Sequence, residues 1–348
     1  MKPNGLKYDI QDGVLRRMWG STDHVEIRPG VTKIGQGAFG SASFQSITLP
    51  EGVKEIGRDA FADNYCLKSV TLPESLRTIG DEAFKGCIAL KSIKIPEGVT
   101  DMGWMTFFGC SSLSTINLPE GITELGRNIF SGCTSLSLSD IPKGVTKIWD
   151  GAFKNCKKIM QFDLPACLTE IPHELFSGCF SLRSLTLPES VTTIGEKAFC
   201  GCESLQEIII LNSKVEIAKN AFEGCGSLKK VTLNRRADDI PNECFLPYNK
   251  YQLLWRGFLA HPELYDAGIA ASYWEYIACY AEHFDEPFKK LSVPYLKPII
   301  EAAHPDKDTL RLWTELAIES GNTELVAYLM EVIHNTDGED DPFKALTL

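Results

Sequence analysis

The sequence predicts a mainly β repeat solenoid that is followed by an all-α C-terminal domain. Two observations predict the solenoid: prolines recur every 23 residues, and phenylalanines recur at the same interval. A third observation, a change of charge and aromatic content beyond residue 248, predicts the second domain. Because a fixed period of 20 to 50 residues is typical of units that stack on their neighbours, we expect about nine stacked turns. The series are Pro50, Pro73, Pro96, Pro119, Pro142, Pro165 and Pro188, and Phe61, Phe84, Phe107, Phe130, Phe153, Phe176, Phe199, Phe222 and Phe245.

Each unit contains a short strand and a tight turn. The last half of residues 90–95 (LKSIKI) alternates apolar and polar side chains, as a half-buried strand does. Pro96 ends the strand where no ladder N–H is needed. The Ala-Phe-x-Gly-Cys element then predicts a turn whose Ala and Phe point inward and whose Gly takes a positive φ. Stacking at about 4.8 Å would place the phenylalanines in one continuous buried column.

Residues 185–210 read LTLPESVTTIGEKAFCGCESLQEIII. This unit resembles those of the BspA-like branch of the leucine-rich repeat proteins, which read LPxxVTxIGxxAFxGCxSLxxIxLP. The resemblance extends over residues 25–247 and implies a leucine-rich repeat solenoid. It also implies relatives that are often surface proteins of gut and oral bacteria or of parasites, with roles in adhesion and host contact.

Residues 1–24 are expected to form a capping hairpin, because Asp12-Gly13 is a hairpin turn signal between two strand-like segments. Such a cap covers the open strand edge of the first repeat. Two later units depart from the pattern. Residues 102–107 (MGWMTF) are bulkier than the usual Ile-Gly-x-x-Ala-Phe, and at residues 136–141 the strand alternation slips, which predicts a local bulge near residue 138.

Seven of the 12 cysteines repeat in phase with the proline series. Equivalent side chains of a stack point in the same direction, so these thiols should form a buried column without disulfides or a bound metal. Unpaired thiols are typical of a reducing compartment. The seven are Cys87, Cys110, Cys133, Cys156, Cys179, Cys202 and Cys225.

The charge and the start of the chain limit the function. With 35 Lys and Arg against 46 Asp and Glu the net charge is −11, which disfavours nucleic acid as a partner. The first residues lack a secretory leader, and no segment is long and apolar enough to insert into a membrane. We therefore expect a cytoplasmic monomer, with a cell-surface or secreted location as the alternative if residue 1 is not the native start.

No catalytic, cofactor or metal motif stands out. Residues 35–40 (GQGAFG) match a dinucleotide fingerprint, but the same slot recurs in the repeat turn without a βαβ context. The six histidines show no spacing of metal ligands. The sequence therefore favours a protein that is not an enzyme and that has no cofactor.

The solvent-facing side of the strands, at the second and fourth residues before each proline slot, carries mostly small polar residues. It offers no aromatic or Arg anchor of the kind that dominates interfaces. Asn117, Asp140 and Asp163 lie on this face and are candidates for a weak partner-binding ladder.

The helical domain is predicted at residues 248–334, followed by an acidic tail at residues 335–348. Residues 249–348 hold 8 Lys and Arg and 17 Asp and Glu, and 16 of the 34 aromatic residues lie from Phe245 onward. We expect helices near residues 249–260, 262–283, 293–303, 307–320 and 323–334, with Gly321 as a stop and Asn322 as a cap. Residues 313–334 resemble an ankyrin-type helix pair. Trp255, Tyr273 and Tyr276 are the partner-binding candidates of this domain, because Tyr and Trp dominate interface energies.

These observations lead to a non-enzymatic scaffold that recognises a protein partner. A cell-surface adhesin of the BspA-like type and an enzyme activity in the helical domain are the alternatives.

Overall fold

The structure is a computed structural model. It describes residues 6–240, 250–261, 264–266, 268–270, 272–273, 293, 297, 307–319 and 321–336. The chain divides into two compact units: the first extends to Leu228, and the second contains Lys229–Pro241 and the helical residues from Lys250. The predicted boundary after residue 247, the acidic tail beyond residue 336 and most of the helices predicted near 262–283 and 293–303 lie outside the described residues, so they stay predictions.

The first unit begins with the predicted hairpin. Strands β1 (Lys7–Gln11) and β2 (Val14–Ser21) pair antiparallel. Asp12 and Gly13 connect them with φ angles of 54° and 75°, the two positive values that a tight hairpin turn requires. Strand β2 also pairs in parallel with two strands of the repeat array, so it covers the edge that the first repeat would otherwise expose.

Two rows of short strands run along the array, and all their pairings are parallel. In the first row, Ser69 of one strand faces Ser46 of the preceding strand, a shift of one repeat. The first row contains β3 (His24–Glu26), β6 (Ser46–Thr48), β8 (Ser69–Thr71), β10 (Ser92–Lys94), β12 (Thr115–Asn117), β16 (Ser184–Leu187) and β18 (Glu207–Ile210). The second row contains β4 (Lys33–Ile34), β7 (Glu55–Ile56), β9 (Thr78–Ile79), β11 (Asp101–Met102), β13 (Glu124–Leu125), β14 (Lys147–Ile148), β15 (Glu170–Ile171), β17 (Thr193–Ile194) and β19 (Glu216–Ile217), and β5 (Ser41–Ser43) pairs with β2.

Between β12 and β16 the first row loses its regular strands. Only an isolated parallel bridge, between Asp140 and Asp163, remains in this fully described stretch. The interruption lies where the alternation of residues 136–141 slips. The sequence predicted a bulge there, and the structure has instead a segment with almost no ladder.

The predicted phenylalanine column forms the core. Nine rings from Phe39 to Phe222 stack in succession with centroids 4.5 to 5.9 Å apart, and none is more than 1% exposed. The last predicted member, Phe245, lies outside the described residues. The seven in-phase cysteines are buried beside this column, and each thiol donates a hydrogen bond of 3.0 to 3.2 Å to a phenylalanine carbonyl oxygen of the preceding turn.

The turns that follow the phenylalanines use a left-handed position, which is glycine in six repeats, as predicted, and Asp63 or Asn155 in two others. Gly132 has a φ of 79°, and a Cβ there would lie 3.4 Å from the Cα of Gly109 in the preceding turn. A second left-handed position precedes the Ala-Phe pair, and most repeats fill it with other residues, such as Glu82 at 56° and Met105 at 56°. The sequence pattern did not predict this second position.

The second unit packs a helix on a strand. Strand β20 (Lys230–Leu233) lies against helix α1 (Lys250–Ala260). A Cβ at Gly257 would collide with the Val231 carbonyl, so only glycine allows this close approach. A short 3₁₀ helix, Ala237–Asp239, follows β20.

Two further helices pack on each other: α2 (Lys307–Glu319) and α3 (Thr323–Thr336). Gly321 separates them with a φ of 71°, and the side-chain oxygen of Asn322 accepts a hydrogen bond of 3.1 Å from the Leu325 N–H. The predicted helix stop and cap are therefore confirmed. The described residues form a solenoid of parallel-strand repeats that is followed in sequence by helices, which confirms the predicted architecture.

Candidate functional site

The three candidates on the first strand row differ in their surroundings. The side-chain amide of Asn117 accepts from the Ile95 N–H at 2.9 Å and donates to the Ile95 carbonyl at 2.8 Å, so it extends the ladder to the preceding turn. Asp140 and Asp163 are exposed and face each other across the isolated bridge. The structure thus brings two of the candidates together and places the third in a structural role.

The candidates of the helical unit do not form a surface cluster. Tyr273 is only 2% exposed, its hydroxyl donates to the Arg235 carbonyl at 2.7 Å, and its ring stacks on Phe258. Its ring therefore belongs to the packing of this unit. Trp255 lies in α1, but its side chain is not among the described parts of the chain, and Tyr276 lies outside the described residues.

A groove opens over the second strand row of the first unit. Its volume is about 540 Å³, and it follows the row from β7 to the residues just after β14. Its floor contains a column of glycines, Gly57, Gly80, Gly103 and Gly126. At Gly80 a Cβ would come within 2.8 Å of the backbone nitrogen of Arg58. Close stacking of the turns therefore leaves no room for a side chain at this position. We call this the glycine groove.

Two tryptophans bound one end of the glycine groove. Trp104 is 55% exposed, and its ring centroid lies 6.4 Å from that of Trp149 at an interplanar angle of 50°. The two residues come from different turns, and Gly126 lies in the turn between them. Glycine at this position leaves room for the Trp104 ring, because a Cβ added to residue 126 would lie only 3.1 Å from Trp104 Cδ1. Exposed adjacent tryptophans are typical of binding sites, because they bring a large contact area with little conformational entropy to lose.

Trp149 is fixed by two charged neighbours. Its indole Nε1–H donates a hydrogen bond of 3.1 Å to Glu124, and the Lys147 ammonium lies 3.8 Å from the ring centroid. The second contact is a cation–π interaction within the chain itself. Trp149 is thereby held in one orientation at the end of the groove.

The backbone ladder is split beneath Trp104. One sheet of the second row ends at β11, and within residues 6–240 strand β13 pairs with β14 and not with β11. The split lies between the turn that carries Trp104 and the turn that carries Gly126. It coincides with the bulky residues 102–107 that the sequence singled out.

The groove is acidic. Four carboxylates line it, Glu55, Asp81, Asp101 and Glu124, against one guanidinium, Arg58, and the Lys147 ammonium at its end. Both positive charges already have partners, since Arg58 pairs with Glu82 at 3.0 Å and Lys147 lies over the Trp149 ring. A site of this kind attracts cations and repels anions.

The sequence interpretation missed this site because it surveyed the other strand row, which has no aromatic anchor. Two signals were available. Trp104 follows the glycine of the Ile-Gly element, and Trp149 replaces that glycine in a later repeat. Neither signal reveals by itself that the two rings meet.

Nothing in the described residues resembles a catalytic centre. No group of three or more His, Cys, Asp or Glu residues among them could hold a metal ion. Burial raises the pKa of the Cys133 thiol to about 12 and raises those of the other in-phase thiols, so they are poor nucleophiles. Among the described residues, no helix is long and apolar enough to cross a membrane.

Comparison with known proteins agrees with the repeat pattern. The family model of the BspA type leucine rich repeat region, with six copies, matches residues 17–137, 54–183 and 169–253. A leucine-rich repeat protein from Bacteroides ovatus is 30% identical, with 66% of this chain and 69% of that chain covered and a TM-score of 0.58. A leucine rich cell surface protein from Faecalibacterium prausnitzii is 24% identical, with 66% and 93% covered and a TM-score of 0.38. The leucine rich repeat protein of Treponema pallidum (T. pallidum) is 25% identical, with 57% and 87% covered and a TM-score of 0.40. Comparison with curated protein sequences finds no match.

Proposed function

This chain belongs to the BspA-type leucine-rich repeat family, and from that premise we propose that it is a non-enzymatic scaffold that recognises a protein partner. The family is one of repeat scaffolds, and stacked repeats present a long continuous surface. The glycine groove is the part of that surface best suited to hold a partner.

The observation that carries the proposal is the tryptophan pair at the end of the groove. Interface energy is concentrated in a few Trp, Tyr and Arg residues that fill pockets. Trp104 offers more than half of its surface to solvent, beside a half-buried Trp149 that is held by Glu124 and Lys147. Exposed apolar surface at the mouth of a groove is typical of an interaction site.

The family resemblance suggests a cell-surface or secreted protein with a role in adhesion, and we include this location in the proposal. Neither the fold nor the comparisons support the cytoplasmic location expected from the sequence. The absence of a nucleic-acid partner, supported by the net charge of −11, and the monomeric state are also proposals. The first-row ladder at Asp140 and Asp163 is retained as a weaker contact, and so is the helical unit.

The test compares how much partner protein four forms of the full chain capture from an extract of the native cells. The four forms are the wild type, Trp104→Ala, Trp149→Ala and Trp19→Ala. Trp19 is the matched control, because it is 38% exposed and lies in the N-terminal hairpin. Any protein captured is then purified and its affinity measured by calorimetry. We expect the wild type and Trp19→Ala to bind it equally and both groove variants to lose at least tenfold in affinity. Equal binding by all four forms contradicts the proposed site.

A further inference from the structure

We propose that the glycine groove takes an extended, lysine- or arginine-containing segment of the partner, with one cationic side chain seated against Trp104. This inference rests on the proposed function and adds the chemistry of the partner. It follows from the shape of the groove, from its charge and from the cation–π contact already present in it.

The shape suits an extended chain. The groove follows the turns that contain Gly57, Gly80, Gly103, Gly126 and Trp149, which span about 20 Å at about 5 Å per turn. An extended peptide rises about 3.3 Å per residue, so about six or seven residues fill this length. The glycine floor has no side chains, which lets the backbone of a ligand approach closely.

The charge selects a cationic ligand. Glu55 is neutralised by Lys33 at 2.7 Å, and Asp81 Oδ1 accepts a hydrogen bond of 2.9 Å from the backbone N–H of Trp104. Asp101 and Glu124 are exposed and form no ion pair within residues 6–240. They lie on successive turns of the second row, one on each side of the ladder split, so a ligand cation can approach both.

The tryptophans supply a second attraction for the same cation. The Lys147 ammonium already occupies a position 3.8 Å from the Trp149 centroid, which shows that an ammonium group is accommodated in this environment. The Trp104 ring is more exposed, and no cation–π contact to it is found within residues 6–240. A lysine or arginine of the partner can take that position and gain a cation–π contact.

A neutral oligosaccharide is the competing occupant, since sugar rings also stack on tryptophan. It would bring no positive charge to Asp101 and Glu124, and the observations therefore favour the basic peptide. The experiment decides between the two.

The experiment measures binding by calorimetry, with the full chain and defined probes at low salt. The probes are a capped seven-residue peptide of alternating lysine and glycine, the same peptide with acetylated lysines, and the neutral hexasaccharide cellohexaose. We expect the lysine peptide to bind, the acetylated peptide to bind at least tenfold more weakly, and added salt to weaken binding.

Two sets of variants locate the site. Trp104→Ala should weaken binding of the lysine peptide about tenfold. The double variant Asp101→Asn with Glu124→Gln, whose side chains keep their shape, should have a similar effect. Glutamine at position 124 can still accept the hydrogen bond from the Trp149 indole, so the ring stays in place. The matched control is the pair Glu97→Gln with Glu120→Gln, which removes the same net charge from exposed residues outside the groove and should leave the affinity unchanged. The thermal midpoint of each variant is measured first. The double variant of Asp101 and Glu124 changes almost no side-chain volume, so it tests the site even if Trp104→Ala fails to fold.

The inference is overturned if the acetylated peptide binds equally well, if both carboxylate pairs have the same effect, if only the hexasaccharide binds, or if none of the probes binds. These results leave the proposed function standing as long as the captured partner still depends on Trp104. Loss of the proposed function would instead appear as capture that no groove variant affects.

Discussion

Replacement of Phe153 by alanine tests the architecture most directly. The Phe153 ring is fully buried and stacks between Phe130 and Phe176, at 5.7 Å from each. It also contacts Phe162 at 4.9 Å and 58°. The variant therefore removes one ring from the middle of the column and leaves three aromatic neighbours facing a cavity.

The magnitude follows from these contacts. Truncation of a buried phenylalanine costs about 3 to 5 kcal/mol, and each aromatic pair contributes about 0.5 to 1.5 kcal/mol beyond area burial. With three pairs lost, we expect about 4 to 5 kcal/mol for Phe153→Ala. Phe130→Ala loses two stacked neighbours at 5.7 Å and should cost less, about 3 to 4 kcal/mol.

The assay is urea unfolding followed by circular dichroism. At a slope of about 3 kcal/mol per molar urea, the midpoint of Phe153→Ala should fall by about 1.5 M. Phe180→Ala is the matched control, because that ring is 37% exposed and its only ring contact within residues 6–240 is the Lys157 ammonium at 5.1 Å. It should shift the midpoint by less than about 0.3 M. If Phe153→Ala unfolds at the same urea concentration as Phe180→Ala, the phenylalanine column does not stabilise the array.

Three other predictions concern the groups around the column and on the strands. Asn117→Ala should lower the free energy of unfolding by about 1 to 3 kcal/mol, because it removes both hydrogen bonds to the preceding turn. Asp140→Asn should be neutral or slightly stabilising, because Asp140 faces a second carboxylate, Asp163. Equal urea midpoints for the two variants would argue against a structural role of Asn117. Because burial raises the pKa of Cys133 to about 12, this thiol should react with iodoacetamide at pH 9 only after unfolding, while the exposed Cys66 reacts in the native protein. Mass spectrometry of the labelled peptides measures both reactions. Comparable rates for the two thiols in the native protein would contradict the prediction. The hydrogen bond from Lys85 lowers the pKa of Glu82, so this carboxylate stabilises the fold above its unfolded pKa and loses that effect as the pH falls through the lower folded value. Glu82→Gln should therefore be less stable at neutral pH, and the difference should shrink as the pH falls through the lowered folded pKa of Glu82. A difference that does not change with pH would refute the assignment.

The repeat period determined most of the first unit, because stacked identical units place identical positions in columns. The positions of the phenylalanine column from Phe61 onward, of the buried thiols and of most turn glycines follow from the 23-residue spacing, whereas Phe39 lies one residue out of phase. Local turn chemistry was equally informative, since Asp12-Gly13 and Gly321-Asn322 each fix the backbone through a positive φ or a cap within a few residues.

The candidate site depended on the tertiary structure. Trp104 and Trp149 are separated by two turns of chain, and they meet only because Gly126 of the turn between them leaves room for a ring. A composition argument placed the aromatic anchors in the helical domain, yet Tyr273 is buried there by its hydrogen bond and ring contacts. Periodicity tells which side of a strand a residue occupies. Whether a large side chain is covered or open to a partner depends on the neighbouring turns that pack around it, and only the folded array determines that.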